Sequence, residues 1–259
     1  MGPVLAFDIE TVPDVAGLRK LHRLGPEVAD ADVAAMAFQM RRQIAGHDFL
    51  PLHLHRVIVI SCALREREAF KVWSLGGGGE PEGEIIQRFF DGIEKYTPQI
   101  VSWNGSGFDL PVLHYRGLMH GVRAPRYWDM GDEDREFRYN NYISRYHARH
   151  CDVMDLLALY QGRAVAPLDE IAQLLGLPGK LGMDGSQVWG AYLEGRVSEI
   201  RNYCETDVVN TYLVFLRFQA MRGALTEEEY RAQCALVRTT LEHAPEAHWQ
   251  EFIAHWAAR

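Results

Sequence analysis

Residues 3–10, PVLAFDIE, decide the fold. A short apolar run that ends on Asp8 and Glu10 reads as a buried central strand with two carboxylates at its end. Side chains two apart on a strand project from the same face, so these acids stand side by side. On an otherwise apolar buried strand they would repel each other and be costly to desolvate unless a cation were present.

Outward from this strand, residues 13–51 change to mixed polar and apolar residues at helical spacing (VAAMAFQMRRQIA), an insertion between two strands expected to lie beside the acids. RVIVISCALRE (56–66) and AFKVWSL (69–75) are β-rich and predict a hairpin, closed off by Gly76 to Gly79. A helix over 83–96 then crosses to a parallel strand at 99–104. The helix predicted at 108–121 has Pro111 in its first turn, where the missing amide proton costs little, and Gly121 as C-cap. Residues 122–150 read as loops with short irregular elements before a brief strand at 150–154. LDEIAQLLGL, SQVWGAYLEG and VSEIRNYCETDVVNTYLVFLRFQAM are helical with glycine stops, and TEEEYRAQCALVRTTLEHA adds one more helix with an acidic first turn.

With 259 residues, 47% of them hydrophobic, the chain can bury a sizeable core. The expected organisation is one elaborated α/β domain over 1–222, with the insertion at 13–51, followed by a helical extension at 223–259. No run reaches the roughly 20 apolar residues of a membrane span, and MGPVLAFDIE passes straight into a strand, so a soluble, unprocessed cytoplasmic protein is expected. The cysteines at 62, 151, 204 and 234 form no CxxC pair, which argues against a zinc knuckle or a disulfide framework. A net charge of −8 counts against coating nucleic acid through phosphate contacts, yet allows an enzyme that holds only a strand end.

Two further segments carry candidate chemistry. Asp109 follows WNGSGF where a glycine-containing turn starts a helix; alone it reads as an N-cap or first-turn aspartate. Tyr203 and Asp207 are four apart and share a helical face, while Glu205 points elsewhere; alone they read as a core tyrosine and a surface acid. Each segment is weak by itself, and their order along one α/β chain is the informative feature.

That order resembles the DEDD exonuclease superfamily: FDIET resembles its first motif, NGSGFD its second and YCETD its third. Tyr203, four residues before the last aspartate, with Asn202 where the other branch has histidine, places the resemblance in the tyrosine branch. NGSGFDLPVLHYRG, LGLPGKLGMDGSQVW and YCETDVVNTYLVFLR resemble stand-alone 3′→5′ exonucleases related to the exonuclease domain of family B DNA polymerases, over about Val4 to Arg222. The resemblance implies a ribonuclease H-like fold, a mixed five-stranded sheet flanked by helices. It also implies two Mg²⁺ or Mn²⁺ ions, which activate a water and stabilise the leaving 3′ oxygen. Asp8 would bridge the ions, Glu10 and Asp207 would complete the site of the attacking water, Asp109 would support the second ion, and Tyr203 would orient the water. The expected partner is a nucleic-acid 3′ end, with single-stranded DNA as the substrate and no membrane.

Other residues have competing readings. Thr11, Asn104 and Phe108 could border the terminal nucleotide, or be a strand end, a turn asparagine and a core phenylalanine. Lys180 reads as a phosphate contact or a solvated loop lysine. Asp152 and Asp155 suit a capping or surface role, and His147, His150 and Cys151 lack a fourth zinc ligand. The arginines and tyrosines of 126–149 could bind a single strand, but Asp132, Glu133, Asp134 and Glu136 also make a self-compensated loop. The alternative activities are an exoribonuclease on the same fold and, from another class, a non-catalytic nucleic-acid-binding module.

Overall fold

The computed structural model describes residues 2–257. In chain order its elements are β1 (Val4–Pro13), α1 (Val15–His22), α2 (Asp30–Ala45), β2 (His55–Glu66), β3 (Ala69–Gly76), α3 (Glu82–Tyr96), β4 (Gln99–Ser102), α4 (Asp109–His120), α5 (Pro125–Trp128), β5 (His150–Asp152), α6 (Val153–Leu157), α7 (Leu168–Leu174), α8 (Val188–Leu193), α9 (Val197–Met221), α10 (Glu227–Glu242) and α11 (Ala247–Ala257). The strands form one mixed five-stranded sheet in the order β3-β2-β1-β4-β5. β2 runs antiparallel to β1 and β3, whereas β4 is parallel to β1 and β5. This is the ribonuclease H-like arrangement that the resemblance implied.

Alternation along β1 divides the molecule. Leu5, Phe7 and Ile9 pack with α3 and α4 on one face, while Val4 and Ala6 pack with α9, α10 and α11 on the other. Asp8 and Glu10 continue the second series, so they face α9. β1 extends to Pro13 rather than ending at the acids as the apolar run suggested, because β2 pairs with it along its whole length. On the other side β4 pairs only with Val4 to Ala6. The acids therefore sit where one edge of β1 has lost its neighbour.

The insertion folds as α1 and α2 around a small core of Leu18, Val33, Ala37, Leu50 and Leu54. Asp14 caps α1 through the Gly17 amide at 3.0 Å and is paired with the buried Arg116 of α4. Arg116 also holds Glu82 at 2.5 Å, and Glu82 accepts from the Val57 amide at 2.7 Å, so one buried cation ties the insertion to α3, α4 and β2. Residues 122–150 are largely irregular and self-compensated: Asp129 accepts from the amides of Gly131, Asp132 and Asp134, and Arg126 pairs with Asp134 at 3.1 Å.

The C-terminal segment differs from the single helix expected. It is two helices, α10 and α11, and Val237, Leu241, Trp249 and Phe252 belong to the same buried cluster as α9. Pro245 ends the first helix and the apolar residues 249, 252, 253 and 256 repeat at helical spacing beyond it. Glu205, inside α9, accepts from Ser74 Oγ at 2.6 Å and Arg201 Nε at 3.1 Å, and lies 3.0 Å from His248 Nε2 of α11. Among the described residues no helix is long and apolar enough to cross a membrane.

Candidate active site

Three elements deliver the acids. Asp8 and Glu10 come from β1, and Asp207 from the buried α9, which crosses the face toward which they point. Asp109 is the first residue of α4, and its Oδ1 accepts the Ile9 amide at 3.1 Å. That amide lies on the edge of β1 that β4 no longer covers, so a carboxylate takes the place of a strand partner. Asp152 supports this arrangement: as N-cap of α6 it accepts from Asn104 N at 3.0 Å and Ser106 N at 2.8 Å, fixing the turn that leads into Asp109. The capping role expected of Asp152 is what the structure shows.

Glu10, Asp109 and Asp207 are 8%, 3% and 6% exposed and Asp8 is half-buried, so the carboxyl groups share little water. Burial pushes the Asp8 carboxyl well above the ordinary carboxylate range, and the charges of Asp109 and Asp207 push it further. Burial followed by the charge of Asp8 does the same to Glu10. Asp109 is raised by burial to about 7 and Asp207, again by burial, to about 6, with Lys180 pulling the latter down.

Lys180 is no solvated loop lysine. Its Nζ donates to Tyr203 Oη at 2.5 Å and lies 3.6 Å from Asp207 Oδ2. The loop that carries it is pinned from a distance: Asn210 Nδ2 donates to Gly179 O at 2.8 Å, and Lys180 N donates to Asp169 Oδ1 at 2.7 Å. Gly179, at φ +74°, approaches so closely that a Cβ would lie 2.6 Å from Asp169 Oδ1. An ammonium only donates, so Tyr203 Oη accepts from Lys180 and its own proton is left for Asp207. Burial, then the charges of Asp207, Glu10 and Asp8, raise the Tyr203 phenol well above its ordinary value, so it keeps that proton at neutral pH.

Among the described residues, one group of potential metal donors has its ligand atoms within 4.8 Å of one another: Asp8, Glu10 and Cys204. Cys204, which the sequence reading passed over, lies three residues before Asp207 on the same helical face. Its Sγ is 3.4 Å from Asp8 Oδ2 and donates to it. Divalent cations fit this cluster on two grounds. Asp207 Oδ1 is buried without a hydrogen-bond partner, and the clustered carboxylate oxygens are hard donors of the kind that Mg²⁺ and Mn²⁺ take. The zinc set His147, His150 and Cys151 is not built: His147 Nδ1 accepts from Asn141 N at 3.0 Å and His150 Nε2 shares a hydrogen bond with Ser102 Oγ.

Beside Glu10 opens a cleft of about 480 Å³ whose walls include Thr11, Phe38, Phe49, His55, Phe108 and Trp189. Phe49 comes from the end of the insertion, which therefore shares a cleft with Glu10. Its ring lies 5.0 Å from His55 and 5.6 Å from Phe108, and Phe108 and His55 meet edge to face at 5.2 Å. Thr11 and Phe108 line this cleft, and Asn104 does not. Asn104 is exposed on the turn at φ +66°, with Oδ1 set so close to Gly107 that a Cβ there would lie 2.4 Å away. That is the turn asparagine reading.

Comparison with known proteins adds two findings. The catalytic subunit of DNA polymerase epsilon from Saccharomyces cerevisiae is 25% identical over 147 residues, 53% of this chain and 6% of that protein. Residues 47–256 match the family described as "predicted 3′-5′ exonuclease related to the exonuclease domain of PolB". The match begins beyond β1 and runs through α10 and α11, so the C-terminal helices fall within it and the placement of Asp8 and Glu10 rests on the structure. With most of its length matched, the chain belongs to this family of predicted 3′-5′ exonucleases related to the exonuclease domain of PolB.

Proposed function

We propose that this chain removes nucleotides one at a time from the free 3′ end of single-stranded DNA, with two Mg²⁺ or Mn²⁺ ions held by Asp8, Glu10, Asp109 and Asp207, in the manner of the tyrosine branch. The observation that carries the reading is that β1, α4 and α9 bring four carboxylates near enough to raise one another's pKa, three of them buried, with Glu10 also lining an aromatic cleft. Bound divalent cations would neutralise that charge, raise the acidity of a water and stabilise the leaving 3′ oxygen.

The chain's own groups do the rest. Tyr203, held protonated and oriented by Lys180, presents its O–H toward Asp207, where it positions an attacking water; a phenol this hard to ionise orients the water and does not deprotonate it. Lys180 adds a positive side chain that contacts Tyr203 and Asp207, and it can also meet a phosphate oxygen. Phe49, Phe108 and Trp189 offer faces on which unpaired bases stack, which favours a single strand over a duplex whose bases are already stacked.

Degradation of 5′-labelled and 3′-labelled DNA and RNA strands, with and without Mg²⁺ or Mn²⁺, tests the proposal. The 5′-labelled DNA strand should give a ladder of shortening products and the 3′-labelled one should release mononucleotide at once, both only with metal. Replacing Asp8 and Asp207 together by Ala should abolish this in a folded protein. Cleavage of a closed circular strand would point to an endonuclease, and faster loss of RNA than DNA to an exoribonuclease.

A further inference from the structure

A row of polar side chains crosses the sheet beneath α9. Asp8 of β1 pairs in register with Ser61 of β2, and Ser61 with Ser74 of β3, so the three stand side by side on the face that carries the acids. Glu205 of α9 closes the row: Ser74 Oγ donates to its Oε1 at 2.6 Å, and Arg201 Nε donates to the same oxygen at 3.1 Å. A hydroxyl has one proton to give. Ser74 gives its own to Glu205, so across the 2.8 Å contact between Ser61 Oγ and Ser74 Oγ it is Ser61 that donates. Ser61 is left with lone pairs alone, and these lie within hydrogen-bonding reach of Cys204. Cys204 Sγ in turn donates to Asp8, 3.4 Å from Oδ2 and 3.5 Å from the backbone oxygen. Ser61 and Cys204 are both fully buried, so the single thiol proton has a choice between Asp8 and Ser61 and not between protein and bulk water.

We infer that Ser61 is a positioning residue for the cation site: held as an acceptor by Ser74 and Glu205, it takes over the Cys204 thiol proton when Asp8 binds a divalent cation. An aspartate that serves two ions needs its carboxyl oxygens free, and a thiol proton aimed at Oδ2 opposes that. Rotation about the Cys204 Cβ–Sγ bond carries the proton from Asp8 to Ser61 while the sulfur stays in place. Nothing ionises and no covalent bond breaks. The inference rests on the metal reading above, in which Asp8 is a ligand. Were Ser61 and Ser74 only a clasp between β2 and β3, their loss would lower the melting temperature and leave cation binding as it was.

The test needs no nucleic acid. Mg²⁺ and Mn²⁺ are titrated calorimetrically into the full chain, and the Cys204 S–H stretching band, isolated as the infrared difference from Cys204→Ala, is recorded before and after. In the wild type the band should shift when Mg²⁺ binds. Ser61→Ala should cancel that shift and weaken binding of either ion about 2- to 5-fold, the low end for one hydrogen bond because a thiol is a weak donor. Ser74→Ala frees the Ser61 proton to point at Cys204 and should weaken binding in the same direction, which keeps the test decisive if Ser61→Ala folds poorly. In a Cys204→Ala background neither serine should matter, since no thiol proton is left to move. Unaltered affinity in both serine variants overturns the inference, and is also what a thiol that turned to the Asp8 backbone oxygen would give. So does weakening that persists without Cys204. A wild type that binds neither ion, or binds as well after Asp8→Ala, overturns the metal reading and the inference with it; binding at Asp8 with an unmoved band overturns the inference alone.

Discussion

Asp109→Asn removes one negative charge from the carboxylate cluster and keeps the hydrogen bond from the Ile9 amide, because asparagine still offers an Oδ1 acceptor. The folded carboxyl holds its proton up to about pH 7 against an ordinary value of 3.8. Between those values the native state binds more protons than the unfolded chain, so stability falls as pH rises through that window and is level above it. A rise of about 3 pH units corresponds to at most about 4 kcal/mol of strain at pH 8, and relaxation around a coupled cluster leaves about 2 kcal/mol to be recovered. For a chain of this size that is a gain of about 4–8 °C in melting temperature. Calorimetry in EDTA at pH 5 and pH 8 reads it, and the gain should be clearly larger at pH 8. The same variant should lose at least about 10²-fold in Mg²⁺-dependent degradation. Mg²⁺ should raise the melting temperature of the wild type more than that of the variant, since a ligand stabilises the state that binds it. A variant less stable than wild type at pH 8 in EDTA, or an equal gain at both pH values, would refute the reasoning.

Tyr203→Phe keeps the ring and all four carboxylates, so turnover at saturating Mg²⁺ should fall about 10²-fold with the melting temperature nearly unchanged; an unchanged single-turnover rate would take Tyr203 out of the mechanism. Arg116→Met leaves Asp14 and Glu82 buried without their shared cation and should cost about 3–5 kcal/mol in urea unfolding, whereas a loss under about 1 kcal/mol would show that the insertion is anchored some other way. Burial lowers His114 to about 4, so the unfolded chain takes up its proton first and stability should fall as pH drops from about 6.5 toward 4, by at most about 3 kcal/mol for this group. His114→Phe should flatten that slope in chemical unfolding measured between pH 7 and pH 5, and an unaltered slope would count against a neutral His114.

The sheet was legible because its strands are apolar runs bounded by glycine or acid, and its connections follow from length: a hairpin between β2 and β3, a helical crossover before β4. The acids were legible as a set, since Asp8 and Glu10 share a strand face and Tyr203 and Asp207 a helix face. What was hidden depends on contacts distant in sequence. Lys180 reads as a surface lysine until Asn210 and Asp169 fold its loop inward. His55 and Phe49 carry no motif, and only the packing of the insertion against α4 brings them to Phe108. β1 reads as ending at its acids because hydrophobicity stops there, while its backbone pairing with β2 does not. Cys204 and α11 were within reach: the first by counting back three residues from Asp207, the second by reading past Pro245.

The alternation of β1 has a further consequence. Asp8 and Glu10 face α9, whereas Thr11 belongs to the opposite series, with the insertion and α4 behind it. One strand thus carries the acids on the α9 side and Thr11 on the side of the insertion, and the cleft that Glu10 and Thr11 line together is where the two sides meet. Phe49 and His55 can therefore be exchanged without removing a carboxylate, so Phe49→Ala should change how the cleft holds a ligand while leaving the acids' affinity for a divalent cation unaltered.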